Sequence, residues 1–364
     1  MGLLVTHLSL ADFRNFERLE LEPSPTVTVL VGHNAVGKTN TVEALQLLTA
    51  GTSFRRPSPR ELVREGERSA RLDARLEGDG RVIELRCDVT TEPSARRFSR
   101  NGKRCQGADM PGDLMSVLFS PDDLSLVKGS ARLRRDELDA FGRQANRGYA
   151  NVLAAYQRSV EQRNRLLRDE YPDPSLLDAW DASVSLGGAT LLAARLRMFT
   201  RLAGKVSRAY EAIAGGESLS CSYRCTFGEG CEGMGREELR ELLLERLAAN
   251  RTEDLRRQQT CVGPHRDDVT FTVGGRDART YASQGQQRSV VLALKMAEVE
   301  LAGEILGSRP VLLLDDVMSE LDEHRRAAVV EFVGGGIQTL ITTTNLGYFS
   351  PELLDAAEVV RFGE

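Results

Sequence analysis

Residues Gly32-His33-Asn34-Ala35-Val36-Gly37-Lys38-Thr39 spell GxxxxGK[ST], a pattern that leaves a chain few folds to choose from. Before it runs Val27-Thr28-Val29-Leu30-Val31, rich in β-branched residues, which reads as a buried strand. After it, in residues 40–48, Val42, Leu45 and Leu48 recur at helical spacing. Strand, glycine-rich loop and helix together make a phosphate-binding loop: the glycines let backbone N–H groups turn inward, and the helix N-terminus adds a favourable dipole. Lys38 is expected to reach the β- and γ-phosphates, and the Thr39 hydroxyl to ligate Mg²⁺. A glycine turn that matched by chance would need neither flank. The expectation is a nucleotide site formed by residues 32–40, ending at Asn40, in an α/β fold.

Two later stretches offer matching chemistry. Val311-Leu312-Leu313-Leu314-Asp315-Asp316 is an apolar strand ending in two carboxylates. Phosphate-loop ATPases set such a strand beside the first, with an acid at its tip for Mg²⁺. Asp315 suits that role, and Asp316 is placed to orient or deprotonate the attacking water. Taken alone, the run is equally a buried strand with a solvated acidic end. Tyr281-Ala282-Ser283-Gln284-Gly285-Gln286-Gln287-Arg288 opens a helical run over residues 289–302. A serine and a glycine at a helix start offer a hydroxyl, an unobstructed backbone N–H and a dipole, which is a second phosphate-binding surface. The plainer alternative is an N-cap by Ser283 with Gln287 nearby. One nucleotide seldom needs two such surfaces from one chain.

The 364 residues can hold two or three modest domains. A content of 41% hydrophobic and 28% charged residues, with no apolar run near membrane-spanning length, is that of a soluble globular protein. Residues 1–7 lack the basic start and apolar core of a signal peptide, so a cytoplasmic location without membrane contact is expected. Net charge is −5, so any DNA contact must come from local basic patches. Among the cysteines only Cys221, Cys225 and Cys231 cluster, without CxxC pairing or a nearby histidine, and reduced thiols are a better reading than a zinc site.

Residues 3–10, 19–21, 72–76 and 83–89 read as strands, and Asn101-Gly102 within residues 96–104 as a tight hairpin turn. Over residues 130–215 the period becomes helical. Tyr149, Val152, Leu153, Tyr156 and Val160 form one stripe, Pro172-Asp173-Pro174 breaks it, and the pattern resumes to Val184 and again after Gly187-Gly188. This predicts an antiparallel helical hairpin, too short for an extended coiled coil. Residues 218–227 then read as a strand and residues 236–249 as a charged helix.

In this order, the phosphate loop, Ser283-Gln284-Gly285-Gln286, the Asp315-Asp316 strand and Ser319-Glu320-Leu321-Asp322 resemble the ATP-binding-cassette (ABC) class of ATPases. Within that class, GHNAVGKTN, SQGQQRS, LLLDDVMSELDEHRR, Gly263-Pro264-His265-Arg266-Asp267-Asp268, Phe119-Ser120-Pro121-Asp122-Asp123-Leu124 and Gln162-Arg163-Asn164 resemble the RecF family of bacterial recombination mediators. The resemblance implies an ABC-type P-loop ATPase head with an antiparallel β subdomain in residues 1–120 and 216–364, and an inserted helical lobe in residues 121–215. It implies ATP and Mg²⁺ as cofactors and a head-to-tail homodimer. In such a dimer Ser283, Gly285, Gln286 and Asp322 of one copy meet the γ-phosphate held by Lys38 of the other. Function by resemblance is ATP-dependent DNA binding in recombinational repair. A slow, DNA-stimulated ATPase would act at duplex DNA, gaps and junctions, with RecR, and indirectly with RecA and single-strand-binding protein. Replication restart and SOS induction follow from that role. The alternatives are a chromosome-structuring SMC-like head, which would need long coiled-coil arms, and a transporter ATPase subunit.

Three positions depart from the general cassette pattern. Asp316 stands where a glutamate is usual, Thr342-Thr343-Thr344-Asn345 where a switch histidine is usual, and Pro121-Asp122-Asp123 where a glutamine is usual. A shorter carboxylate and a missing polariser remove part of a catalytic contribution of about 10²–10⁴-fold, so slow turnover is expected. The densest basic runs, Arg55, Arg56 and Arg60 and then Arg96, Arg97, Arg100, Lys103 and Arg104, are the DNA candidates, with Arg163 and Arg165 on the hairpin. Few aromatics (5%) favour duplex backbone contact over base stacking.

Overall fold

The alternation of apolar and polar residues early in the chain becomes an antiparallel sheet. A computed structural model describes residues 2–363. Its first strands are β1 (Leu4–Phe13), β2 (Phe16–Leu21), β3 (Val27–Val31), β4 (Ser69–Gly78), β5 (Arg81–Thr91), β6 (Ser94–Arg100) and β7 (Lys103–Cys105). All but β3 join one six-stranded sheet in the order β2-β1-β4-β5-β6-β7. Its register aligns Leu10 with Leu72, Leu72 with Cys87 and Cys87 with Phe98, so the apolar half of each strand faces one way. That face meets Leu45 and Leu48 of the helix Lys38–Ala50 in one hydrophobic core. The turn at Asn101 and Gly102 has positive φ at both residues, 48° and 72°, the type I′ geometry that matches strand twist.

The remaining strands are β8 (Ser116–Phe119), β9 (Leu219–Arg224), β10 (Asp268–Val273), β11 (Arg276–Asp277), β12 (Val311–Asp315), β13 (Thr339–Thr343) and β14 (Glu358–Arg361). β3 and β12, apolar along nearly their whole length, are buried on both faces as parallel central strands must be. They lie in a parallel sheet of order β14-β3-β13-β12-β8. One strand, β13, separates β3 from β12, and the register pairs Asp315 with Thr342.

The chain divides into two units. One takes it up to Leu124 and again from Val291, and the other runs Ser125–Val290. This division differs from the expected boundary at residue 216, and the reason is packing. Residues 216–290 fold with the helices: Tyr223 of β9 meets Phe199 edge to face at 5.7 Å, and its hydroxyl accepts from Arg195 at 2.9 Å.

In this second unit the hairpin forms from helices Arg147–Leu166 and Pro174–Ile213, the latter started by an Asp173 cap and Pro174. It corrects one expectation. The second helix runs 40 residues without interruption through Gly187-Gly188. A Cβ on Gly188 would lie 2.6 Å from Leu243 and 3.1 Å from the Tyr156 ring, so this glycine admits neighbours and does not end the helix. An interior glycine costs about 1 kcal/mol of helix propensity, less than the burial of a leucine and a tyrosine contributes. Among the described residues no helix is long and apolar enough to cross a membrane.

Candidate nucleotide site

Between β3 and the helix Lys38–Ala50 the backbone turns through two left-handed residues, Ala35 (φ 68°) and Gly37 (φ 113°). Such a path points successive N–H groups toward one concavity. Gly37 has no substitute, because a Cβ there would sit 2.4 Å from the Phe16 ring. The loop is held from outside by the turn joining β1 and β2. Asn15 Nδ2 donates to the Val36 carbonyl at 3.0 Å, and Asn15 Oδ1 accepts from Asn40 Nδ2 at 2.8 Å.

Lys38 is buried, and its Nζ donates to the carbonyls of Gly32 and His33, both at 2.7 Å. Burial holds its pKa below the usual lysine value, while Asp316 and Asp315 oppose the shift. Thr39 follows with its hydroxyl donating to Asp315 Oδ1 at 2.8 Å. The Thr342 hydroxyl donates to the same oxygen at 2.8 Å and accepts from the Asp316 N–H at 2.9 Å. The expected pairing of Thr39 with Asp315 is therefore a direct contact between residues far apart in the chain.

Asp316 sits just past the end of β12 with φ 53°. Its Oδ1 is buried and has no hydrogen-bond partner, and burial together with neighbouring Asp315 raises its carboxyl pKa. Asn34, Ala35, Gly37, Lys38, Thr39, Asn40, Arg55, Asp316 and Thr342 line one cavity. An orphaned carboxylate oxygen facing a lysine, a threonine hydroxyl and loop N–H groups suits a ligand that brings a water or a proton donor beside phosphate oxygens. Hard oxygen donors from Thr39 and Asp315 suit Mg²⁺.

Sequence reasoning missed several members of this arrangement. Thr342 read only as a departure from the cassette pattern. Arg55, read as part of a basic loop, is exposed and also lines the cavity, donating to Asn40 Oδ1 at 2.9 Å and to Glu43 Oε2 at 3.3 Å. Glu43, fully buried, also takes both nitrogens of an Arg14 fork at 2.9 and 2.8 Å and the Ser53 hydroxyl at 2.6 Å. A glutamate on the inner side of the phosphate-loop helix was the one available signal for such a partner.

Ser283, Gly285 and Gln286 belong to the second unit, at the start of the helix Gln284–Leu306. Ser283 N–H donates to Gln286 Oε1 at 2.8 Å, and the Ser283 hydroxyl oxygen accepts from the Gln286 N–H at 3.2 Å. This is a reciprocal capping box, with Gln286 in the place expected for Gln287. Gln287 instead donates to the Ala282 carbonyl at 2.6 Å. Ser283 is exposed. Asp322 caps the helix Glu323–Gly334 by accepting from the Arg325 N–H at 3.0 Å, and lies outside the residues lining the cavity.

Of the basic candidates, Arg60, Lys103 and Arg104 are exposed, as is Arg56. Arg104 lines a shallow cleft with Arg96 and Arg97 at the edge of the six-stranded sheet. Arg163 is a correction. It is fully buried, donating to Asp181 at 2.5 Å, Asp254 at 2.7 Å and Thr260 at 2.9 Å, and presents no cation to a partner.

The family model described as the RecF/RecN/SMC N terminal domain matches residues 4–352. The DNA replication and repair protein RecF of Symbiobacterium thermophilum is 43% identical over 349 residues, covering 94% of this chain and 92% of that protein. That of Desulforudis audaxviator is 41% identical, covering 93% of each. A solved structure of the recombination mediator protein RecF-ATPrS in the RecFOR pathway superposes with TM-score 0.90 at 31% identity over 96% of this chain and 94% of that one. An Smc head bound to the C-winged helix domain of ScpA shares the fold, with TM-score 0.57 at 14% identity over 98% and 93% of the two chains.

Proposed function

Because this chain belongs to the RecF family, we propose that it is an ATP-dependent DNA-binding protein of recombinational repair whose nucleotide site closes between two copies. The observation that carries the reading is the buried, unpartnered Asp316 oxygen in a cavity shared with Lys38, Thr39 and the phosphate-loop N–H groups. A triphosphate would replace the two carbonyls that Lys38 now contacts. Thr39 and Asp315 would hold Mg²⁺, which when bound neutralises charge on the β- and γ-oxygens. Asp316 would accept a hydrogen bond from the attacking water. Its side chain, one methylene shorter than the usual glutamate, sets the carboxylate farther from that water, so turnover would be slow and the nucleotide would act as a timer.

The γ-phosphate would be capped from a second copy. Ser283, Gly285 and Gln286 of a second copy would supply a helix N-terminus there, with Asp322 at the same interface. Nucleotide bound only by the dimer favours association by about 2.7 kcal/mol at a hundredfold excess over Kd. Arg56, Arg60, Lys103 and Arg104 are the proposed DNA contacts, doubled by the dimer, with binding to duplex, gapped and junction DNA that weakens steeply with salt. The same reading assigns RecR as partner, RecA and single-strand-binding protein as indirect ones, a cytoplasmic location, and roles in replication restart and SOS induction.

Mixing two inactive variants tests the shared site. Lys38→Met should weaken ATP binding at least about a hundredfold, since it removes a charged donor at the phosphates. Ser283→Arg should bind ATP normally and fail to dimerise. Mixed, the two should recover about half of one dimer's ATPase activity, through the one intact composite site. Absence of any recovery would exclude a site built from both copies.

A further inference from the structure

The phosphate loop is braced on a second side by residues that do not line its cavity. β14 pairs in parallel with β3, aligning Arg361 with Val31. The next residue, Phe362, donates its N–H to the Val31 carbonyl at 2.8 Å, at the position where the strand becomes the loop. The Phe362 backbone and Cβ lie directly against Gly32: a Cβ on Gly32 would fall 2.6 Å from the Phe362 carbonyl oxygen and 3.1 Å from its Cβ. The Phe362 ring meets Phe16 edge to face, with centroids 6.1 Å apart. Phe16 in turn is the ring on which Gly37 closes. Val36 completes the contact, with one methyl toward Gly32 and the other toward Gly363. Gly32 therefore rests on the Phe362 backbone and Cβ, and Gly37 on the Phe16 ring that the Phe362 ring meets.

We infer that Phe362 is a positioning residue for nucleotide binding: its ring holds Phe16, on which Gly37 closes, and so keeps the phosphate loop in its binding-competent path. Phe362 is absent from the cavity lining, so it acts only through the loop. Its support is a four-residue edge strand, Glu358–Arg361, whose residues are exposed or half-buried. Apparent affinity scales with the fraction of molecules in the competent conformation, so a variant that leaves a tenth of them competent raises Kd about tenfold. The inference rests on the ATP-binding reading above.

Its test is calorimetric titration of the full chain with ATP and Mg²⁺, alongside steady-state hydrolysis. Phe362→Ala should raise Kd and KM about tenfold and leave kcat within about twofold, because loop competence precedes the chemical step. Phe362→Leu, which refills the volume, should bring Kd back to within about threefold of the parent. Should the alanine variant not fold, Phe16→Leu removes the ring that Phe362 meets and should raise KM likewise. Parent-like Kd and KM in Phe362→Ala, or in Phe16→Leu where the former does not fold, overturn the inference while leaving ATP binding intact. Failure of the parent chain itself to bind ATP overturns both readings. A fall in kcat at unchanged KM would also overturn it, since that would place Phe362 in catalysis.

Discussion

His265 makes a residue-scale prediction. Its Nε2 lies 3.0 Å from the Thr260 carbonyl and its Nδ1 2.6 Å from the Tyr156 hydroxyl. Nε2 therefore carries the proton and Nδ1 accepts from the tyrosine, which leaves no room for a second proton. Burial, with Arg266, Arg135 and Arg163 adding to it, lowers the pKa from 6.5 to about 4. Between those values the unfolded chain binds a proton that the folded chain refuses, so stability falls as pH drops from 6.5 to 4 and is unaffected above that range. At 1.36 kcal/mol per pH unit the loss reaches about 3 kcal/mol at pH 4. Urea unfolding at pH 7 and pH 4.5 should show a steeper loss for the parent than for His265→Gln, and equal losses would contradict the assignment. None of this was legible in the motif Gly263-Pro264-His265-Arg266, because the tyrosine that fixes the histidine lies 109 positions earlier.

Among the elements, the helical hairpin is tied to the rest of its unit by buried charge. Arg163 on its first helix reaches Asp181 on the second and Asp254 on the helix Arg251–Arg257. All three side chains are at most 2% exposed. Breaking such a set strands an unpaired charge, so Arg163→Ala should cost about 3–5 kcal/mol, readable as a lower urea midpoint. A loss under 1 kcal/mol would contradict the tie. Patterns with short range were readable at this scale: the strands β4 and β5, the Asn101-Gly102 turn, and the helix Arg236–Ala249 emerge where their periodicity puts them. Arg163 misled because an arginine in a charged helix looks alike whether it faces water or two distant aspartates. Gly187-Gly188 misled for a related reason, since the side chains it admits belong to other helices.

At the scale of the whole molecule, the candidate site was legible where the motif is local, as with Lys38, Thr39 and Asp315, which the fold brings together. It was not legible where the fold recruits a residue from elsewhere, as with Asn15, Arg55 and Thr342. The proposal that Ser283 of one copy serves the nucleotide held by another makes association the central claim. Sedimentation of the purified chain with and without saturating ATP and Mg²⁺ tests it most directly. The account predicts a shift with nucleotide to a species of twice the 40.1 kDa chain mass, abolished by Ser283→Arg. A chain that sediments as a monomer under saturating ATP, with or without DNA, would contradict it.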